Sequence, residues 1–501
     1  MEENSQLFDC IVIGSGMGGM SAASLLASDG YEPLVIEAAK ALGGCSSSYT
    51  RKGYIFESGA TTLIGFDEHQ PLRKLEKQLG ISLPKVPIEP SMQVHFDDKT
   101  ITRYQNRDKW IAESIKHFGE EEAQKEFWSL AFRVADIVWK VSGTNPFFPP
   151  SGIIEWLHLL KNDPRDVWVL PYALESVQDI ARHKGISNQK FYRFLDEQLM
   201  ISAQAESGQT PFLFGAPAVT YTNATNYSVP GGLVQMVETL RDFIHQQGGS
   251  VRNKEKVVHL DRKDSVFQIT TVKAGKTHRY RSRSVISNIP VWNMPDITNG
   301  ELQKYFSSKS AQYNKAWGAF TMGIAIKDTF GPEFPLHHQI HTARVDSIEG
   351  LNSGSIFVSL SHADDKKRSP GELRTLNVST HSNPEYWFSL NGSYDAVKDS
   401  VENQILNILD KKLPGFKTEN IDVAFSSTPV TWSNWVYRKK GRVGGIPQQM
   451  DRSLLDWTPA KTPFKGLYLA GDTVFPGQGI PGVTLSGINV YCRVKKYLNQ
   501  T

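Results

Sequence analysis

The start of the chain constrains the fold most. An apolar run at residues 8–13 ends on Gly14-Ser15-Gly16-Met17-Gly18-Gly19. A segment rich in Ala, Ser, Leu and Met follows to Ser28, and then a second apolar run at residues 33–37 closes on Glu37. A short apolar run halted by glycine reads as a buried parallel strand, and residues 17–28 read as a helix. Strand, glycine turn, helix and strand within about thirty residues is the size of one βαβ unit.

Each position in that turn has a physical task. Gly14 lets the chain leave the strand sharply, Gly16 removes the side chain that would keep a pyrophosphate from the backbone, and Gly19 lets the helix pack close to the strands; with Gly18 they form the expected cofactor-binding turn. The helix N-terminus offers unpaired N–H groups and the positive end of its dipole. Glu37, eighteen residues after Gly19, can accept hydrogen bonds from both hydroxyls of an adenosine ribose and would repel a 2′-phosphate. A dinucleotide site without that phosphate is expected.

With 501 residues the chain is long enough for two or three domains. Residues 100–215 carry amphipathic helical patterns, interrupted by the Pro-broken apolar stretch PFFPPSGIIEWLHLL. From Tyr227 an α/β look returns, strand-like segments such as AFTMGIAI and GSIFVSL recur between 317 and 390, and the last forty residues repeat strand, glycine turn and helix. The expected fold class is α/β, with a Rossmann-like dinucleotide domain assembled from residues 1–80, 220–300 and 460–501. An α+β substrate domain would take residues 81–219 and 301–459.

Composition narrows the setting. Net charge is only +3, and basic and acidic residues alternate, which argues against a nucleic-acid groove. The three cysteines, Cys10, Cys45 and Cys492, lack metal-site spacing, so no metal is expected and a reducing, cytoplasmic compartment fits. The N-terminus MEENSQLFDC has neither the basic start nor the apolar run of a signal peptide, and no run of 18 apolar residues predicts a bilayer-spanning helix. The stretch PFFPPSGIIEWLHLL also reads as an interfacial segment, so peripheral attachment to the inner face of a membrane is an expectation.

Two further segments point to FAD. Gly43-Gly44-Cys45 lets a loop pass over a pyrophosphate, and Gly59-Ala60 offers small residues beside a flat ring. Near the C-terminus, LYLAGDTVFPGQGIPGVTLSG delivers Gly471-Asp472 from a strand end, where Asp472 can bind a ribityl hydroxyl. A helix opening near Ile480, Pro481 and Val483 would turn its positive end to the flavin pyrimidine.

These motifs closely resemble the flavin amine-oxidase and phytoene-desaturase superfamily, over the first eighty and last forty residues, and more loosely at Val229-Pro230-Gly231-Gly232 and Val285-Ile286-Ser287-Asn288. The resemblance implies FAD, with Val257 holding the adenine through its backbone and Asp472 and the 480–483 turn holding the flavin half. Amine oxidases of the superfamily usually carry Arg where this chain has Cys45. Cys45 with Gly471-Asp472 is more similar to carotenoid isomerases, carotenoid 3,4-desaturases and retinol saturases, as is the stretch around Phe194 and Gln204.

The resemblance thus implies an FAD-dependent oxidoreductase of a long apolar polyene, with a quinone or oxygen as electron acceptor. Hydride removal from a hydrocarbon needs an apolar tunnel more than charged groups, and Phe147, Phe148, Trp156, Leu157, Leu159, Leu160, Trp168 and Phe212 supply material for one. A flavin amine oxidase and a flavin-free escort protein are the alternatives, the latter opposed by the complete glycine, Glu37 and Asp472 set. No catalytic residue is assigned. His69, His158, His337 and His338 are candidates, although a lone histidine is more often surface or satisfied core. Residues 432–445 either line the cavity mouth or form a solvated basic face.

Overall fold

The computed structural model describes every residue except 1, 98, 148–152, 154, 156–163, 314–315, 343–347, 453–456 and 501. It confirms the α/β class. One seven-stranded sheet has a parallel core in the order Ser250–Arg252, Pro33–Ile36, Glu2–Ile13, Lys276–Ser287 and Leu467–Leu469. The first half of Lys276–Ser287 also pairs antiparallel with Val266–Lys273, which pairs with Lys256–Lys263. Cys10, Ile11, Val12 and Ile13 are all buried, as is every residue of Pro33–Ile36. That is the continuous apolar signature of strands covered on both faces. Helix Met17–Ser28 packs against helices Val234–Gln246 and Ile480–Leu498, so segments far apart in sequence share one core.

The second seven-stranded sheet runs Ile421–Ser427, Gly318–Lys327, Leu373–Ser382, Ser355–Leu360, His337–His341, Met92–Phe96 and Lys99–Arg103. Its pairings are antiparallel except that between His337–His341 and Met92–Phe96. Side chains alternate across it with the strand period of two. Phe320, Met322, Ile324, Ile356, Val358, Leu376 and Val378 form an apolar layer with Val401, Ile405 and Leu409 of helix Tyr394–Lys412. The opposite face carries Ala319, Thr321, Ser355, Phe357, Ser379 and His381 and borders a cavity. Helices Arg107–Phe118, Glu121–Thr144, Gln189–Ser202 and Phe212–Val219 build a separate aromatic-rich core around Trp110, Trp128 and Phe194.

The cores do not stop at the sequence-based boundaries. Leu302 and Phe306 of helix Gly300–Ser310 belong to the first core, as do Tyr313 and Ile446. The hairpin Ser48–Arg51/Tyr54–Glu57 lays Tyr54 and Phe56 against Ala325, Val423 and Phe425 of the second sheet. Its Glu57 meets Arg368 at 3.1 Å and accepts from Ser48 Oγ and from the Leu233 amide. One buried carboxylate thereby links the hairpin to Arg368 and to the segment that leads into helix Val234–Gln246.

Candidate active site

Two helix N-termini converge on one cavity. Gly16 and Gly479, the residues preceding helices Met17–Ser28 and Ile480–Leu498, offer no capping side chain, and neither first turn holds an acidic residue. The amides and dipole of each first turn therefore remain available to an anion. The helices cross with almost no space between them. A Cβ at Gly487 would lie 2.3 Å from Gly18 O, and one at Gly18 would lie 2.9 Å from Val483 O.

The cavity, about 740 Å³, is lined by Gly14, Gly16, Gly18, Glu37, Gly43, Gly44, Cys45, Gly59, Ala60, Val257, Gly471, Asp472, Ile480, Pro481 and Val483. These residues come from segments as far apart in the chain as 14–60, 257 and 471–483. Gly19 takes the packing role read for it from the turn. It stands off the lining, and its Cβ would strike Gly14 O at 2.6 Å, so its smallness serves the helix–turn packing.

Glu37 is held in place. Its Oε2 accepts from Ser15 N at 2.8 Å and Ser15 Oγ at 2.7 Å, and its Oε1 accepts from Ala39 N at 2.8 Å. Ser15 Oγ in turn accepts from Gly43 N at 3.0 Å, which couples the glycine turn to the loop beyond Glu37. Asn288 donates to Gly14 O and Gly16 O, both at 3.3 Å, while its buried Oδ1 has no partner among the described residues. The donor set fits a dinucleotide: a fixed carboxylate near Val257 at one end, two open helix termini at the centre, and small residues at 59–60. The indole of Trp432 stands beside Gly59, where a Cβ would meet it at 2.6 Å.

Asp472 accepts from Arg438 Nη2 at 2.7 Å, and Arg438 Nε donates to Arg442 O. Arg438 is buried, whereas Lys439 pairs with Asp296 and Arg442 with Glu385. The 432–445 segment thus plays both roles read from its sequence: Trp432, Ser433, Val436 and Arg438 line the cavity while other cations form surface pairs. Burial raises the Cys45 thiol, opposed by the Arg438 charge and reinforced by Asp472. It is a small protonated side chain beside the site rather than a thiolate.

The histidines singled out from sequence lie elsewhere. His69 is exposed, and His158 lies outside the described residues. His337 is buried against Ser359 Oγ at 2.8 Å, and His338 Nδ1 meets His95 Nε2 at 3.1 Å in the second sheet. Among the described residues, His381 is the histidine that lines the cavity. Its only sequence signal is the alternation of Ser379 and His381 along Leu373–Ser382, and telling which strand face meets the cavity takes the assembled sheet. Of the expected tunnel aromatics, Phe212 is packed in the helical core and Trp168 is 41% exposed. Phe148, Trp156, Leu157, Leu159 and Leu160 lie outside the described residues, and Phe147 sits by Arg493. Ile64, Val138, Ile201, Phe214, Ala218 and Phe357 supply the apolar lining.

Fold and site define a flavin-dependent oxidoreductase. The chain belongs to the flavin-containing amine oxidoreductase family, whose sequence model matches residues 17–495, and its cofactor is FAD. Among its relatives, prolycopene isomerase 1, chloroplastic, of an Oncidium hybrid cultivar is 27% identical over 98% of this chain and 84% of its own length. All-trans-retinol 13,14-reductase of Danio rerio is 25% identical over 92% of this chain and 82% of its own. The neurosporene-forming phytoene desaturase of Rhodobacter capsulatus is 23% identical over 95% and 92%. A putrescine oxidase structure shares the fold with a TM-score of 0.65 at 15% identity, covering 99% of this chain and all of its own.

Proposed function

We propose that the protein desaturates or isomerises a long polyene of the carotenoid class, using FAD. The observation that carries this reading is the continuity of the cavity. It passes without a break from Glu37 and Val257, past Gly59, Ala60 and Asp472, into a chamber between the helical core and the second sheet. The helical side of that chamber is apolar, through Ile64, Val138, Ile201, Phe214 and Ala218. Among the described residues its inner floor presents hydroxyls, Phe357 and a histidine rather than a carboxylate, which suits a neutral chain better than an ammonium group. Similarity along nearly the whole chain to enzymes named for prolycopene, phytoene and retinol supports the same reading.

FAD, when bound, supplies the reversible two-electron chemistry. The protein's own residues bind and orient. Glu37 would take the ribose hydroxyls, the two helix termini the pyrophosphate and pyrimidine ends, and Asp472 a ribityl hydroxyl. Apolar walls exclude water from the reacting chain. The electron acceptor in this reading is a quinone or oxygen.

Polyenes of this class partition into lipid, so the reading includes a membrane-docking face on the cytoplasmic side. Val167, Trp168, Leu170 and Leu174 are exposed apolar residues within one short segment, with Ile153 a further one, and apolar exposure of that kind supports an interaction surface. No helix among the described residues is long and apolar enough to cross a membrane. Expression in cells that make lycopene-type carotenoids, with pigment analysis by absorbance and chromatography, tests the activity. A change in chromophore length or geometry is expected, and unchanged pigments in cells containing the FAD-loaded protein would overturn the reading.

A further inference from the structure

The floor of the inner chamber is more polar than a hydrocarbon needs. Thr321 and Ser379 face each other across adjacent strands, and His381 follows two residues on, opposite Ala319. All three line the cavity, and neither hydroxyl has a hydrogen-bond partner among the described residues. Strand periodicity would equally have allowed an apolar row, as on the reverse face of the same sheet.

The tautomer of His381 follows from its neighbours. Gln204 Nε2 lies 3.4 Å from Met200 O and 3.1 Å from His381 Nε2. The carbonyl fixes this end of the amide as the donor, so His381 Nε2 accepts and the ring proton sits on Nδ1. Burial depresses the imidazole to about 4, so it is neutral at physiological pH. The Nδ1–H has no partner among the described residues although the side chain borders the cavity. A ring donor that faces a cavity without a protein partner is free to complete a hydrogen bond with a ligand there.

We propose that His381 Nδ1–H donates a hydrogen bond to an oxygen on the substrate, so that the preferred polyene carries a hydroxyl or carbonyl group. Thr321 and Ser379 extend the same polar strip. This rests on the polyene reading and narrows it from hydrocarbons to oxygenated polyenes.

Equilibrium binding to the full-length, FAD-loaded protein tests it, read by polyene absorbance and by quenching of tryptophan fluorescence. Two matched pairs serve as probes, all-trans-retinol with its deoxy hydrocarbon and β-cryptoxanthin with β-carotene, each differing by one hydroxyl. The oxygenated member of at least one pair is expected to bind roughly tenfold tighter, as one well-made buried hydrogen bond allows. His381→Phe should abolish that preference while retaining the hydrocarbon. His381→Asn, whose amide nitrogen falls near the ring Nδ1, should keep it. Equal affinity within both pairs, or a preference that survives in the Phe variant, would overturn the inference and leave the polyene reading standing. Failure of all four probes to bind would remove both.

Discussion

Arg438 donates to the carboxylate of Asp472 at 2.7 Å inside the cavity wall, with both side chains at least four-fifths buried. The pair joins the 432–445 segment to the turn that follows strand Leu467–Leu469. Removing one partner of a buried pair leaves an uncompensated charge, which costs about 3 kcal/mol. Arg438→Met should therefore lower urea stability by about that amount and reduce the FAD-to-protein ratio after gel filtration. Unchanged stability together with full flavin content would show that the pair contributes neither.

The crossing of helices Met17–Ser28 and Ile480–Leu498 leaves no room for a methyl group at Gly487. Backbone oxygen cannot rotate away as a flexible side chain can, so Gly487→Ala must push the helices apart, at about 1–3 kcal/mol. Because these helices present their N-termini to the same cavity, the variant should lose FAD affinity as well as melting temperature. Calorimetry with and without added FAD separates the two effects.

Acid should destabilise the protein through its second sheet. Burial depresses His95 and His337 to about 4, and His338 and His341 to about 3, with neighbouring cations adding smaller effects in the same direction. Each is neutral when folded and takes up a proton on unfolding below about 6.5, so the unfolded state binds more protons as pH falls. Stability contributed by the neutral rings is full above about pH 6.5 and declines towards pH 4, by up to about 1.4 kcal/mol per pH unit for each ring. Urea midpoints at pH 7 and pH 5 should differ accordingly. Replacing His338 by Asn should flatten that dependence, and an identical slope in the variant would contradict the assignment.

Membrane docking predicts a graded effect of charge on the exposed apolar stretch. Leu170→Glu combined with Leu174→Glu changes two residues that are 52% and 80% exposed, so folding should be unaffected. Co-sedimentation with anionic phospholipid vesicles should fall severalfold while FAD content stays constant. Equal vesicle binding by the double variant would exclude this face.

Much of the cofactor half could be read without coordinates, because its constraints are local. A glycine turn, an uncapped helix and Glu37 lie within a few dozen residues, and backbone geometry alone dictates which residue types can stand there. The distant Gly471-Asp472 turn was readable for the same reason, its strand and helix being its immediate neighbours. Gly19 was readable on the same ground: its absent side chain makes room for Gly14 O, the close helix packing that its place in the turn requires.

The substrate half depended on which face of a strand looks inward, and a one-residue difference in that facing exchanges every side chain. His337 and His338 carried as much signal in sequence as His381, but the assembled sheet buries the first two and turns the third to the cavity. Arg438 likewise stands among cations of similar appearance, Lys439, Lys440 and Arg442, and only folding selects it to meet Asp472. The dinucleotide geometry was already legible in the amino-acid order, since it is written in short-range backbone requirements. Tertiary structure decided the lining of the inner chamber, because residues separated by hundreds of positions become neighbours only when two sheets and a helical core pack together.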